Sequence, residues 1–462
     1  MRRNFPMHRR AGSAGSPAAH QRRWRRRWST VAALAVLSVA ACSGETTGPT
    51  DPFARQPGQV YFYGTDGNML NGVGALVSPD HPNAMAGMKG TTPLTPLSAS
   101  FIERLRTIDP GLRDYSYAGE SYDAVVISAL AAQTAGSTNP RAIAAQINGV
   151  TVGGTPCDTV ADCFALLKQG KDIAYRGITL GLGGFTDAGE PSASTYGVLR
   201  FSTGNQLDIR QTQYVPTGDA GNAAKTPPPA PTSGGSSDPL RIGALMPHTG
   251  ALASAGPPLF AAALLAVKEI NAAGGVLGRQ VQWFDGDDYT DPEKAVQTAN
   301  RLITENKVQV IIGAGASSIS LAVLPTVMAA GVILFSPSNT SAELTTVDDQ
   351  GLYFRTAPPD GLQAAALTDV IMRDGVRRLS IIARDDSYGK GLAESVKSAL
   401  VAAGLSVDDV QTLLYNPDTS DFTVISGNAR SFDPDGVLLV AFDETANIFD
   451  ALLRDGFRSI TK

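Results

Sequence analysis

Residues 240–281 read LRIGALMPHTGALASAGPPLFAAALLAVKEINAAGGVLGRQV. The opening apolar run is short enough for a buried strand. The longer apolar stretch from Leu259 ends at Gly274 and Gly275, which is typical of a helix that stops at glycine. Another apolar run follows from Val281. A strand, a helix and a strand in this order predict two parallel strands joined by a helix.

The same alternation continues to the end of the chain and predicts an α/β fold with parallel sheets covered by helices. The predicted strands are 307–313, 332–337, 378–384, 410–415 and 435–442. The predicted helices are 291–306, 318–331, 361–375, 389–404 and 444–456. Residues 115–135 are expected to form an amphipathic helix whose tyrosines pack against the core.

The charges are divided unevenly along the 462 residues. Nine arginines and no acidic residue lie in 1–41, so the remainder carries 29 basic and 43 acidic residues. An acidic body argues against nucleic acid or an anionic membrane surface as a partner.

Residues 1–41 are predicted to be a signal peptide, because a basic segment precedes an apolar run that is too short to span a bilayer comfortably. The run ends in Val39-Ala40-Ala41-Cys42, which resembles a bacterial lipobox. We therefore expect Cys42 to be diacylated and to become the mature N-terminus. Ordinary cleavage after Ala41 is the alternative, and the sequence does not distinguish Sec export from twin-arginine export.

Two segments have linker composition. Residues 42–58 are rich in Gly, Pro and Thr and predict a tether, and residues 216–238 predict a Pro/Gly/Ser linker. The remaining cysteines, Cys157 and Cys163, are expected to form a local disulfide in an oxidising compartment, with two free thiols as the alternative. The residue patterns predict no metal site, no cofactor and no enzyme, because nucleophile elbows, His-paired nucleophiles and ligand clusters are missing from the sequence.

The two halves of the chain form one continuous sequence pattern when their order is exchanged. Residues 239–462 end in ALLRDGFRSITK, and residues 59–215 begin with QVYFYGTDGNML. The reordered sequence, in which Lys462 is joined to Gln59, resembles the type I periplasmic binding proteins, in particular the leucine/isoleucine/valine-binding family. The resemblance implies a circular permutation, in which strand 59–63 lies parallel to strand 436–441 in one sheet. No internal repeat links the halves, which counts against a tandem duplication.

The resemblance also implies a two-lobed fold, with a parallel sheet flanked by helices in each lobe and three hinge crossovers. Carried over to this chain, lobe I comprises 239–357 and 92–196. Lobe II comprises 358–462, 59–91 and a tail at 197–215.

Six residues take the places of ligand-binding positions in the resembling family. Ser317 follows the glycine-rich loop after strand 307–313, where relatives hold the ligand's α-carboxylate. A dinucleotide site is rejected there, because the next strand does not end in an acidic residue. The other five are Ser338 and Thr340 after the next strand, Tyr388 and Asp66 from the second lobe, and Phe442.

Each position also has a purely structural interpretation. Ser317 and Thr340 suit helix or turn caps, Tyr388 suits packing beside an acidic turn, and Asp66 suits a turn. Phe442, or its neighbour Asp443, departs from the tyrosine found in relatives, so the side-chain selectivity of the family does not carry over.

The resemblance implies an extracytoplasmic, lipid-anchored solute-binding protein. It would close its two lobes around a branched-chain amino acid or a related small polar solute and deliver this ligand to an ABC permease. A ligand-sensing lipoprotein with a signalling partner is the alternative from a second class.

Overall fold

The computed structural model describes residues 58–230 and 238–461. The expected signal segment, Cys42, nearly all of the tether, residues 231–237 of the linker and Lys462 lie outside the described residues. The strands are β1 (Gln59–Gly64), β2 (Lys89–Pro93), β3 (Thr155–Cys157), β4 (Ile173–Tyr175), β5 (Ala193–Arg200), β6 (Gln213–Gly218), β7 (Arg241–Leu245), β8 (Gln282–Phe284), β9 (Val310–Gly313), β10 (Ile333–Ser336), β11 (Tyr353–Arg355), β12 (Leu379–Arg384), β13 (Val410–Tyr415), β14 (Gly436–Val440) and β15 (Arg458–Ser459).

The α-helices fill the connections between most of these strands. They are α1 (Asn71–Leu76), α2 (Ala99–Arg106), α3 (Ala118–Ala135), α4 (Pro140–Ile147), α5 (Val160–Lys168), α6 (Gly256–Ala272), α7 (Pro292–Thr304), α8 (Ser317–Ala330), α9 (Glu343–Thr346), α10 (Asp360–Arg373), α11 (Ser387–Ala402), α12 (Thr423–Phe432) and α13 (Thr445–Arg454).

Two sheets organise the fold. The first has five parallel strands in the order β11-β10-β9-β7-β8, and we call the unit built on it lobe I. The second has the order β13-β12-β14-β1-β2-β5-β6, with β15 paired to β1, and we call its unit lobe II. Strands such as β9 and β14 are buried at every residue, as their continuous apolar runs predict for strands covered on both faces.

Lobe II is assembled from both ends of the chain. Strand β1 pairs in parallel with β14, with Tyr61 opposite Gly436, and on its other edge with β2. The ring of Phe62 packs against the ring of Phe449 in α13, with the ring centroids 4.8 Å apart. The pairing expected from the join of the two halves is therefore confirmed. Lys462 is outside the described residues, but β15, a few residues before it, pairs in parallel with Gln59–Val60.

Lobe I also combines the two halves. Helix α3 packs against α6 and α4 and contributes to the same hydrophobic core as β7, β9 and β10. The predicted helix is present and Tyr117 and Tyr122 are buried, but α3 is buried on nearly all sides, so its expected amphipathic character is wrong. Its outer side is covered by α4 and α5 rather than by solvent. The stretch 253–272 is long and apolar enough to span a membrane, but 67% of it is buried, as expected for the core helix α6.

The linker is partly ordered against both lobes. Strand β6 pairs antiparallel with β5 up to Gly218, so the residues just after 215, where the sequence predicts the linker to begin, extend the sheet edge. The Ala224 amide then donates to the Phe185 carbonyl of lobe I, and Gln146 Nε2 donates to the Pro229 carbonyl at 2.8 Å. Residues 219–230 thus lead the chain from the edge of lobe II to lobe I.

The expected disulfide between Cys157 and Cys163 is present. It links the end of β3 to α5, and β3 pairs only with β4 among the described strands.

Candidate functional site

The loop after β9 presents the first turn of α8 to the space between the lobes. Ser317 is the first residue of α8, and Ala316 occupies the cap position, so Ser317 is not the N-cap that the structural interpretation offers. Its Oγ accepts the amides of Thr340 and Ser341, both at 3.2 Å. Because a serine hydroxyl accepts two hydrogen bonds and donates one, its proton stays free to donate to an anion near the helix N-terminus.

The loop after β10 is fixed to the first loop by its side chains. Ser338 Oγ donates to the Gly315 carbonyl at 2.8 Å, and Asn339 Nδ2 donates to the same carbonyl at 3.0 Å. Behind this loop, Arg355 is fully buried, donates to the Ser341 carbonyl and forms an ion pair with Glu190. The loop is therefore held rigidly. Thr340 is fully buried, and its side chain lies beside the Asp360 carboxylate.

Asp66 lies in lobe II, just after β1, and is 5% exposed. Its Oδ1 accepts the Tyr388 hydroxyl at 3.0 Å, and its Oδ2 accepts the Tyr117 hydroxyl at 2.7 Å. The Tyr388 hydroxyl in turn lies 2.8 Å from Thr65 Oγ1. Burial raises the pKa of Asp66, and the hydrogen bonds from Tyr117, Gln363 and Tyr388 oppose this rise.

Phe442 positions Tyr388. The two rings are stacked, with centroids 5.2 Å apart and planes 20° from parallel. The Arg384 guanidinium lies 4.2 Å from the Phe442 ring centroid and is itself held by Asp386 and Glu444. A cation beside an aromatic ring is attractive, so Arg384 and Phe442 together brace the tyrosine that contacts Asp66.

These residues surround one small cavity between the lobes, with about 20 Å³ of room for the centre of a water molecule. Five of the six expected ligand-binding residues line it, whereas Thr340 is fully buried and is not among the lining residues. The lining residues are Asp66, Gly67, Tyr117, Leu252, Ala255, Gly315, Ala316, Ser317, Ser338, Tyr388 and Phe442. Asp66 comes from the N-terminal half of the chain and the serines come from the C-terminal half. These residues lie close together because both halves of the chain contribute to the same fold.

Sequence reasoning missed Tyr117. Its hydroxyl reaches Asp66 from lobe I, although 51 residues separate the two along the chain. No local motif marks it, since the tyrosines of residues 115–122 look alike in sequence. Asp288 was missed as well. It accepts the Gly315 amide at 2.7 Å beneath the serine loop, and burial raises its pKa to about 7. Its place after a predicted strand was an available signal.

In the described ranges, 58–230 and 238–461, no group of three or more His, Cys, Asp or Glu side chains is arranged to hold a metal ion. The cavity instead offers hydroxyl groups and a helix N-terminus on one side and a carboxylate on the other. Such a set suits a ligand that carries both an anionic and a cationic or N–H-donating group.

Known proteins resemble this chain over part of its length. An "Amino acid binding protein" of Pseudomonas aeruginosa is 33% identical over 194 residues, which cover 41% of this chain and 50% of the relative. The "Leu/Ile/Val-binding protein homolog 3" of Brucella melitensis is 26% identical over 47% of this chain and 58% of the relative. The chain thus spans about half the length of the curated relatives that it matches.

Among solved structures, the branched-chain amino acid transporter substrate binding protein of Streptococcus pneumoniae in complex with isoleucine is 26% identical, with a TM-score of 0.42. That similarity covers 48% of this chain and 63% of the other. The family model described as "Periplasmic binding protein" matches residues 239–460, just under half of the chain. The segment 239–460 is therefore similar to the periplasmic binding proteins, a family of binding proteins rather than of enzymes.

Proposed function

We propose that this protein captures an amino acid between its two lobes and delivers it to an ABC importer outside the cytoplasm. One observation carries the proposal: a buried carboxylate, Asp66, faces the serine loops and the N-terminus of α8 across a single cavity. An α-amino acid is a zwitterion, so its burial requires a hydrogen-bond donor for the carboxylate and an acid for the ammonium.

In this proposal Ser317, Ser338 and the first turn of α8 bind the ligand's carboxylate, and Asp66 binds its ammonium. Tyr388 covers the ligand and is held by Phe442. Thr340, the sixth expected residue, is fully buried and does not line the cavity, so it takes no part in the proposed binding. Contacts between the lobes support a hinge-closing mechanism, since Tyr117 donates to Asp66 and the Asp443 amide donates to the Ala251 carbonyl at 3.0 Å.

We further propose that the chain is a circularly permuted type I binding protein. The family model matches only 239–460, while β1 and β2 from the N-terminal half complete the sheet of β12 and β14. A permuted order gives a direct reason for the proline-rich segment between β6 and β7, which then joins two ends that are free in the usual order.

The proposal also includes a lipid anchor at Cys42, based on the lipobox-like residues that precede it. Mass spectrometry of the mature N-terminus is expected to find a diacylglyceryl cysteine. A mature chain that begins elsewhere would rule out the anchor without affecting the binding proposal.

The binding proposal is tested by calorimetry with the twenty amino acids, short amides and urea. We expect saturable binding of at least one amino acid, accompanied by a rise in thermal stability because the ligand binds only the folded state. Binding of none of them would overturn the proposal. Uptake measured in cells with and without the gene then separates an importer component from a ligand sensor, because only the former is required for transport.

A further inference from the structure

A polar contact joins the two lobes outside the ligand cavity. Asp114, in the loop before α3 of lobe I, accepts the Asn71 backbone amide at 3.1 Å and Asn71 Nδ2 at 2.8 Å, both through Oδ1. Asn71 is the first residue of α1 in lobe II. Neither residue lines the ligand cavity. We call this contact the Asn71–Asp114 latch.

Each partner of the latch is fixed within its own lobe. Leu112, two residues before Asp114, is buried in the hydrophobic core that α3 shares with β7 and β9. On the other side, Asn71 Oδ1 accepts the Leu207 amide at 2.9 Å, which ties the start of α1 to the loop between β5 and β6. Leu70, at the cap position of α1, makes no side-chain capping bond, so Asp114 of the other lobe supplies the acceptor there. Movement of one lobe away from the other must therefore break the latch.

The lobes approach each other closely beside the latch. A Cβ atom at Gly72 would lie 2.8 Å from the Ser254 side chain of lobe I, so only glycine permits this approach. Burial raises the pKa of Asp114, and hydrogen bonds from the Asn71 and Gly72 amides oppose this rise. When the lobes part, water hydrates both partners, so the net contribution of the latch is smaller than its bonds in isolation would suggest.

We propose that the Asn71–Asp114 latch stabilises the closed arrangement of the lobes and thereby raises ligand affinity without contact with the ligand. The inference rests on the proposed function and assigns both residues as positioning residues for it. A ligand that needs both lobes binds only the fraction of molecules that are able to close, and its apparent affinity follows this fraction. Loss of the latch should therefore weaken every ligand by the same factor and leave the preference among ligands unchanged.

The placement of charge at the latch provides the test. Asn71→Asp keeps the side-chain shape and the acceptor for the Leu207 amide but sets a second carboxylate against Asp114. Because like charges repel, we expect this variant to bind amino acids about tenfold more weakly than the wild type. The double variant Asn71→Asp/Asp114→Asn again pairs one donor with one carboxylate and should bind within about threefold of the wild type. Asp109→Ala removes only a bond to the Gly111 amide within the same loop of lobe I, and should bind as tightly as the wild type.

Two measurements are made on each of these proteins. Calorimetry with the amino acids that bind the wild type gives the affinities, and small-angle X-ray scattering without ligand gives the radius of gyration. We expect a larger radius for Asn71→Asp than for the wild type, and wild-type radii for the double variant and for Asp109→Ala. A saturating amino acid should return Asn71→Asp to the wild-type radius, which a folding defect would not allow.

The outcomes separate this inference from the function beneath it. Equal affinity and equal radius in Asn71→Asp and the wild type overturn the inference, as does a double variant that binds as weakly as Asn71→Asp. A loss of affinity that differs from one amino acid to another also overturns it. A wild type that binds no amino acid overturns the proposed function, and the radii then decide about the latch. If Asn71→Asp does not fold, Asp114→Ala removes the acceptor without adding a charge, and the same directions are expected in both measurements.

Discussion

Asp66 combines two opposing effects in one side chain. Burial favours its neutral form, and the two tyrosine hydroxyls favour its ionised form. A bound ammonium would shift the balance further toward ionisation, because opposite charges attract strongly where water is excluded. The same carboxylate that is costly to bury is thereby suited to select a cationic group.

Replacement of this acid tests the binding site directly. Asp66→Asn keeps the shape of the side chain but removes its charge, and would leave a buried ammonium without a counter-ion. We expect a loss of about 3 kcal/mol or more, which is about a hundredfold or more in affinity. Calorimetry with the amino acid that binds the wild type measures this loss.

Asp374 provides a matched control within lobe II. It also accepts a tyrosine hydroxyl, that of Tyr63 at 2.9 Å, but does not line the cavity. Asp374→Asn should bind the amino acid as tightly as the wild type. Full binding by Asp66→Asn would mean that the ligand has no ammonium group or that the pocket lies elsewhere.

Buried acids also determine how stability depends on pH. Burial raises the pKa of Glu120 to about 8, and of both Asp360 and Asp288 to about 7. In the unfolded chain these groups titrate near about pH 4. Between these values the folded protein holds more protons than the unfolded chain, so the free energy of unfolding should fall as the pH rises from about 4.5 to 8.

Urea denaturation at pH 5, 6, 7 and 8 measures this slope. Glu120→Gln should flatten the part of the curve between pH 6 and 8, because it removes the acid with the highest pKa of these three. A free energy of unfolding that rises with pH across this window would contradict the burial of these acids in neutral form.

At the scale of single elements, the β3–α5 unit stands apart from the two main sheets. Its disulfide closes a short loop, and neither cysteine lines the ligand cavity. A short closed loop loses only modest entropy in the unfolded state, so the double variant Cys157→Ala/Cys163→Ala should lose about 2 kcal/mol of stability.

Denaturant titration under oxidising conditions measures this loss. A reducing agent should lower the free energy of unfolding of the wild type by a similar amount and leave that of the double variant unchanged. Ligand affinity should not change in either case. A wild type that does not respond to reduction would show that the bond does not form in solution.

Some helices and strands were predictable from the sequence, and others were not. Strands β9 and β14 were predictable because their apolar runs need burial on both faces wherever they lie. The interpretation of α3 failed because its second buried side depends on α4 and α5, which hydrophobic periodicity does not reveal. Tyr117 was missed for the same reason, since its partner is set by lobe packing rather than by local pattern.

At the scale of the whole molecule, neither half of the chain supplies a complete lobe. The lobe II sheet places β1 and β2 between β14 and β5, so the half that contains β12 to β14 would expose a buried sheet edge if it stood alone. The helices α3 and α4 likewise pack on a sheet that belongs to the other half, and α2 and α5 pack on its helix α6. Cooperative folding of the two halves follows, because each leaves an apolar surface that only the other covers.

This sharing predicts that the order of the halves is exchangeable. A chain that runs from 239 to 461, continues through a new loop into 59, and ends at 230 would preserve every strand pair. A loop of about five residues spans up to roughly 16 Å, which suits ends that already lie side by side in β15 and β1. We expect this chain to fold and to bind the same ligand with an affinity within about threefold of the wild type, as judged by circular dichroism and calorimetry.

The separate halves, 58–230 and 238–462, serve as controls: each alone should be unfolded or aggregated, and mixing them should restore binding. Independent folding of either half as a monomer would contradict the shared sheet, because a half that folds alone must cover its own sheet edges without strands from the other.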